Sequence, residues 1–221
     1  MSNRNVIPAQ NRELSETKSL VSKSRREIPT ISLAQIAAFS ALVAVGTLLS
    51  NILLLGYPLP PPLYEITVAP AFYMAIAVLF SRRISFWSTA IGSGVGEAAG
   101  IFLFGLVPGA FALTYVPGII LARAPEALII NRFRAKTVRL VVLGMVIATV
   151  FESVVFFLID WPVYSFTAFY CTTSPCGSSG LAGGLYLAAF DFGTLLDLVW
   201  IPIALALVVA ARRAFKIQFF S

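Results

Sequence analysis

Residues 92–100, GSGVGEAAG, place a carboxylate, Glu97, inside an uncharged run that extends from Ile84 to Val107. An apolar run of about twenty residues matches the hydrocarbon thickness of a bilayer when coiled as a helix. A charged side chain at the centre of such a helix costs about 2.5–3.5 kcal/mol unless a cavity or partner accommodates it. Gly92, Gly96 and Gly100 recur at every fourth residue, a smooth stripe against which another helix can approach closely. An acid beside a tight packing seam reads as part of a polar pocket inside a bundle of membrane helices; the plainer alternative is a protonated glutamic acid bonded to a neighbouring helix for structure alone.

The rest of the chain supports a membrane setting. Of 221 residues, 58% are hydrophobic and 12% charged, with a mean hydropathy of +0.88, far from the composition of water-soluble domains. The net charge of +6 does not mark a nucleic-acid surface. The basic residues fall in clusters: six up to Arg26, then Arg82 and Arg83, Arg123, Arg132 to Arg139, and Arg212 to Lys216. Clusters at alternate segment ends are the signature of cytoplasmic loops. There is no histidine, which removes Ser-His chemistry and the commonest transition-metal ligand.

The expected architecture is all-α, a six-helix transmembrane bundle with both termini cytoplasmic. Residues 1–29 read as a flexible polar tail, 30–216 as the membrane domain and 217–221 as a short C-terminal tail. The spans are expected at about 31–55, 66–80, 85–106, 110–130, 138–159 and 184–210. The first is longer than the apolar core of a signal peptide and reads as a span, not a leader. Pro117 and Pro125 interrupt the fourth. A polar connection from Asp160 to Gly180 follows the fifth. It carries Cys171 and Cys176, a candidate disulfide that lacks the further ligands a zinc site needs. No metal and no cofactor is expected.

Seven acids lie within or at the edges of these spans: Glu65, Glu97, Glu126, Glu152, Asp160, Asp191 and Asp197. At about 1.5 Å per helical residue, most fall in the outer half of the bundle, with no base expected at that depth. Carboxylates held close without partners take up protons or attract a cation. The candidate substrate-binding residues are therefore Glu97, Glu152, Asp160 and Asp191, joined by the aromatics Trp161, Tyr115 and Tyr186; Tyr57 and Tyr64 flank a Pro-rich outer loop. Arg123 and Glu126, at i,i+3 near the inner end of their span, suit a local structural ion pair. In the first span Ala34 and Ala38, then Ala37 and Ala41, make overlapping A-x-x-x-A pairs suited to close helix contact, within the bundle or with another subunit.

Over about Ile31 to Lys216 the chain resembles the substrate-binding S component of energy-coupling factor (ECF) vitamin transporters. The likeness rests on six spans with both ends inside, the A-x-x-x-A pairs, the Pro-rich first outer loop GYPLPPPLY, the short second span and the Gly- and acid-containing third. It implies a high-affinity micronutrient binder in the plasma membrane. Ala34, Ala37, Ala38 and Ala41 would contact a transmembrane coupling subunit driven by ABC-type ATPases, and residues 56–64 would form the lid. The sequence has no G-x-x-x-x-G-K-[ST] nucleotide loop, in keeping with ATP hydrolysis in a partner, so no enzymatic activity is expected of this chain. The carboxylates and aromatics suit a small cationic, nitrogen-rich heterocycle such as thiamine, its pyrimidine precursor or an aminated deazapurine, because a carboxylate accepts paired hydrogen bonds from an aminopyrimidine edge.

Two other classes compete. A proton-coupled secondary transporter would use Glu97 and Glu152 as relays. An intramembrane aspartyl enzyme would need Asp191 and Asp197 together, yet six residues of α-helix set them about 600° apart in rotation, on different faces.

Overall fold

The computed structural model describes residues 30–56, 67–104, 112–166 and 181–215. They form α1 (Thr30–Gly56), α2 (Ala69–Leu79), α3 (Arg82–Phe104), α4 (Ala112–Phe133), α5 (Val138–Phe166) and α6 (Leu181–Ala188), then a 3-10 segment (Ala189–Trp200) that runs into α7 (Ile201–Phe215). No strand occurs among the described residues. The bundle belongs to the unit Gln35–Ser221; in the other unit, Met1–Ala34, the described part is residues 30–34.

Three stretches are long and apolar enough to cross a membrane: Thr30–Ser50, Val138–Ser165 and Leu181–Ala214. On α5 the apolar residues Leu140, Leu143, Ile147, Val150, Val154 and Leu158 are exposed along one face. The opposite face buries Met145, Thr149, Glu152 and Ser153. Leucines outside and polar groups inside reverse the arrangement of a water-soluble helix and suit a lipid surround. Two of the buried hydroxyls are satisfied within this helix: Thr149 and Ser153 donate to the carbonyls of Met145 and Thr149, at 3.1 and 3.0 Å. Thr47 and Ser50 do the same on α1.

The second segment differs from expectation. α2 has eleven residues, about 16 Å of helix, roughly half a bilayer core. Nine of those eleven are buried, so α2 is an internal pillar packed by α3, α4, α7 and the 3-10 segment. Its last turn is capped from α4, where the Asn131 side-chain amide donates to the carbonyls of Ala77 and Phe80, both at 2.8 Å. Arg134 also donates to the Phe80 carbonyl.

Two proline readings are corrected. α4 runs unbroken through Pro117 and Pro125, and α5 continues through Pro162 to Phe166. Asp160 and Trp161 therefore lie on the last turns of a helix, not in a loop. Packing explains the extension of α5. The Trp161 indole N–H donates to the Leu181 carbonyl at 3.1 Å, and Ser165 abuts Gly184 so closely that any Cβ there would collide with it. Tertiary contact outweighs the hydrogen bond that proline removes.

The glycine stripe is a seam against α1. A Cβ built at Gly92 would lie 2.6 Å from the Ser40 carbonyl oxygen and from Val43 Cβ. One built at Gly96 would lie 2.7 Å from the Ala44 carbonyl oxygen and from Thr47 Cβ. Only hydrogen fits at either position.

Candidate functional site

The interior of the bundle holds a charged cluster assembled from four elements. Arg123 and Glu126 come from α4, Tyr73 from α2, Glu152 from α5 and Asp197 from the 3-10 segment; Thr67 precedes α2. Arg123 Nε donates to Glu152 Oε1 at 2.9 Å, with side-chain exposures of 4% and 0%. Arg123 Nη2 donates to Thr67 Oγ1 at 3.0 Å. The Thr67 backbone N–H donates to Asp197 Oδ1 at 3.1 Å, and its hydroxyl lies 3.4 Å from Asp197 Oδ2. The Tyr73 hydroxyl lies 2.7 Å from Glu126 Oε2 and 3.2 Å from Glu152 Oε2.

The ion pair read from the sequence is thus replaced by another. Arg123 bonds Glu152 across two helices and not Glu126, its neighbour at i+3. Arg123 is also not at an inner end. It sits at the middle of α4, level with Tyr73 and Glu152, and supplies the interior base that the sequence reading lacked. Spacing along one helix could not reveal this, because the choice between Glu126 and Glu152 depends on how α4 and α5 pack. Three carboxylates around one guanidinium still leave an excess of negative charge, which protons or a cation must balance.

Asp191 and Asp197 need a second correction. Residues 189–200 are coiled at 3.0 residues per turn, not 3.6, so six residues amount to two full turns. Asp191, Thr194 and Asp197 fall on one face, and all three are buried. Thr194 Oγ1 lies 2.6 Å from Ser153 Oγ on α5 and 2.6 Å from the Asp191 carbonyl oxygen, to which it donates. A 3-10 run of twelve residues is long for this geometry and is characteristic of functional or strained segments.

Contacts between α5 and the α6/3-10 rod set their antiparallel register. Ser165 abuts Gly184, Phe157 and Phe192 pack with ring centroids 5.3 Å apart, and Ser153 meets Thr194. In that register Asp160 and Asp191 fall at similar heights along their two elements, toward the end remote from Arg139 and Arg212. Both are buried, at 7% and 4% exposure. Tyr164 hydrogen-bonds Asp160. Trp161 is half-buried, stacked on Phe157 at 6.1 Å.

The other named residues fall as follows. Glu97 is buried on α3, one residue beyond the Gly96 contact with α1. Tyr186 is 51% exposed and packs edge-on against Phe190. Tyr115 lies on α4, with its side chain outside the described part. Tyr57, Tyr64, Cys171 and Cys176 also lie outside the described residues. Ala37, Ala38 and Ala41 are exposed on α1, and Ala34 is exposed in its own unit. Among the described residues no group of three or more Cys, Asp or Glu is placed to hold a metal ion. Sequence reading missed Tyr73 and Thr67; a tyrosine in a short apolar helix was the available signal.

No protein family, curated protein or solved structure matches the chain.

Proposed function

We propose that this chain is the solute-binding component of an ECF-type importer in the plasma membrane. In this reading it binds a small cationic, nitrogen-rich heterocycle between the far end of α5 and the α6/3-10 rod. The observation that carries the reading is the pair of buried carboxylates, Asp160 on α5 and Asp191 on the 3-10 segment, at similar heights on two packed elements. Arg123, the base inside the bundle, is already engaged by Glu152. Among the described residues six buried acids stand against one buried base, a balance that a cation fits; a carboxylate can take paired hydrogen bonds from an aminated ring, and Trp161, next to Asp160 in the chain, offers an aromatic face.

The exposed Ala37, Ala38 and Ala41 support the second half of the reading, docking on a coupling subunit with ABC-type ATPases. On a helix whose Ser40, Val43 and Thr47 side already packs α3, these alanines present a second smooth face suited to another membrane helix.

Calorimetric titration of the purified full chain with thiamine and with aminopyrimidines should give saturable one-to-one binding. Asp160→Asn and Asp191→Asn should each weaken it about tenfold or more, equivalent to about 1.4 kcal/mol. Binding of a neutral flavin or biotin instead, insensitive to both substitutions, would overturn the charge argument.

A further inference from the structure

Three oxygens stand in a row in the bundle interior: Glu126 Oε2, Tyr73 Oη and Glu152 Oε2, separated by 2.7 and 3.2 Å. Two hydrogen bonds among three oxygens need two protons, and tyrosine carries one. Glu152 is bound through its other oxygen to the Arg123 guanidinium, which fixes it as the carboxylate. The second proton therefore belongs to Glu126, whose Oε2 then donates to Tyr73 while Tyr73 donates to Glu152.

Two further atoms point the same way. Arg123 Nη1 and Glu126 Oε1 are buried and have no hydrogen-bond partner, on residues that are 3% and 0% exposed. A carboxylate ion with one oxygen bare in an apolar interior is far costlier than a neutral acid in the same place. The two unpartnered atoms also belong to residues three apart on α4, the spacing at which side chains of one helix meet. Each is the natural partner of the other in a second arrangement.

We infer that Glu126 holds one exchangeable proton inside the membrane, and that its passage through Tyr73 to Glu152 transfers Arg123 from Glu152 to Glu126. The step balances. The Glu126 Oε2–H bond breaks as its proton goes to Tyr73 Oη, and the tyrosine's own proton goes to Glu152 Oε2. Tyrosine is unchanged, Glu152 becomes the neutral acid and Glu126 the carboxylate that takes the guanidinium. The groups facing Glu126 are Arg123 on its own helix, Tyr73 from α2, Glu152 from α5 and Asp197 from the 3-10 segment. Chains of acids of this kind carry protons in membrane pumps and transporters. The ion pair legible in the sequence, Arg123 with Glu126, becomes the second state of the switch. Because Arg123 also holds Thr67, and Thr67 holds Asp197, the transfer acts on the entry to α2.

The test is infrared difference spectroscopy on the full chain in lipid vesicles near neutral pH, with no solute present, so it is independent of the binding reading. Subtracting the spectrum of Glu126→Gln, which keeps the shape and a donor for Tyr73, should leave one protonated carboxyl band that shifts in heavy water. Tyr73→Phe should retain that band and move it to higher frequency. Glu152→Gln, which imitates the protonated glutamate, should abolish the band although Glu126 is still present, replacing it with carboxylate absorption. A Glu126 difference containing carboxylate bands only, or a band untouched by Tyr73→Phe or by Glu152→Gln, would overturn the inference.

Discussion

Alanine at Gly96 tests whether the glycine stripe holds α3 against α1. The added Cβ would stand 2.7 Å from the Ala44 carbonyl oxygen and from Thr47 Cβ, short of ordinary contact by about 0.7 Å. Neither neighbour can yield alone. One is backbone, and the Thr47 side chain is tied to the Val43 carbonyl at 3.1 Å. The helices must separate, at a cost of about 1–3 kcal/mol for an overpacked contact, less up to about 1 kcal/mol gained by removing a glycine from a helix interior. The net loss is about 1–2 kcal/mol. Gly92→Ala, 2.6 Å from Ser40 O, should cost as much. The double substitution should cost less than their total, because a helix already displaced for one methyl makes room for the next. Gly118→Ala is the control, since its Cβ would meet Ile159 Cγ2 at 3.4 Å and should be neutral or slightly stabilising. Reversible unfolding in mixed micelles, followed by circular dichroism, measures all four. If Gly96→Ala and Gly118→Ala prove equal within about 0.5 kcal/mol, the seam does not have the closeness described.

The charged core yields two more expectations. Arg123→Met leaves Glu152 without its partner and should destabilise by about 3–5 kcal/mol in the same assay, with much of the loss recovered on adding Glu152→Met. Thr67→Val removes both the acceptor for Arg123 and the hydroxyl facing Asp197, and should cost about 1–3 kcal/mol; an unchanged unfolding midpoint would remove Thr67 from the network. A third concerns the surface of α1: Ala38→Trp should leave stability within about 0.5 kcal/mol, because the residue is exposed, yet abolish co-purification with a coupling subunit. Retained assembly would refute the docking face.

Helical character and the glycine seam were readable in the sequence because composition and a four-residue period act locally. GSGVGEAAG specifies a smooth face whatever packs on it, and the structure supplies α1 as the partner. The helix ends around Pro162, and the continuity of α4 through Pro117 and Pro125, were not readable, since neighbouring helices override the local cost of proline. Arg123 shows the limit most clearly. Its partner on its own helix is visible at i+3, but the partner it takes in the structure is twenty-nine positions away. The facing of Asp191 and Asp197 failed for a different reason: periodicity arguments assume 3.6 residues per turn, and residues 189–200 do not obey it.

That departure makes the last rod a screw whose pitch is set by its coiling. Twelve residues at about 2.0 Å of rise span roughly 24 Å, against about 18 Å as an α-helix. Recoiling would draw α7 about 6 Å toward α6 and would swing Asp197 about 120° relative to Asp191. Translation and rotation are locked together along this segment. Substitutions there that favour the α form would release Asp197 from Thr67 with no contact of either residue altered directly.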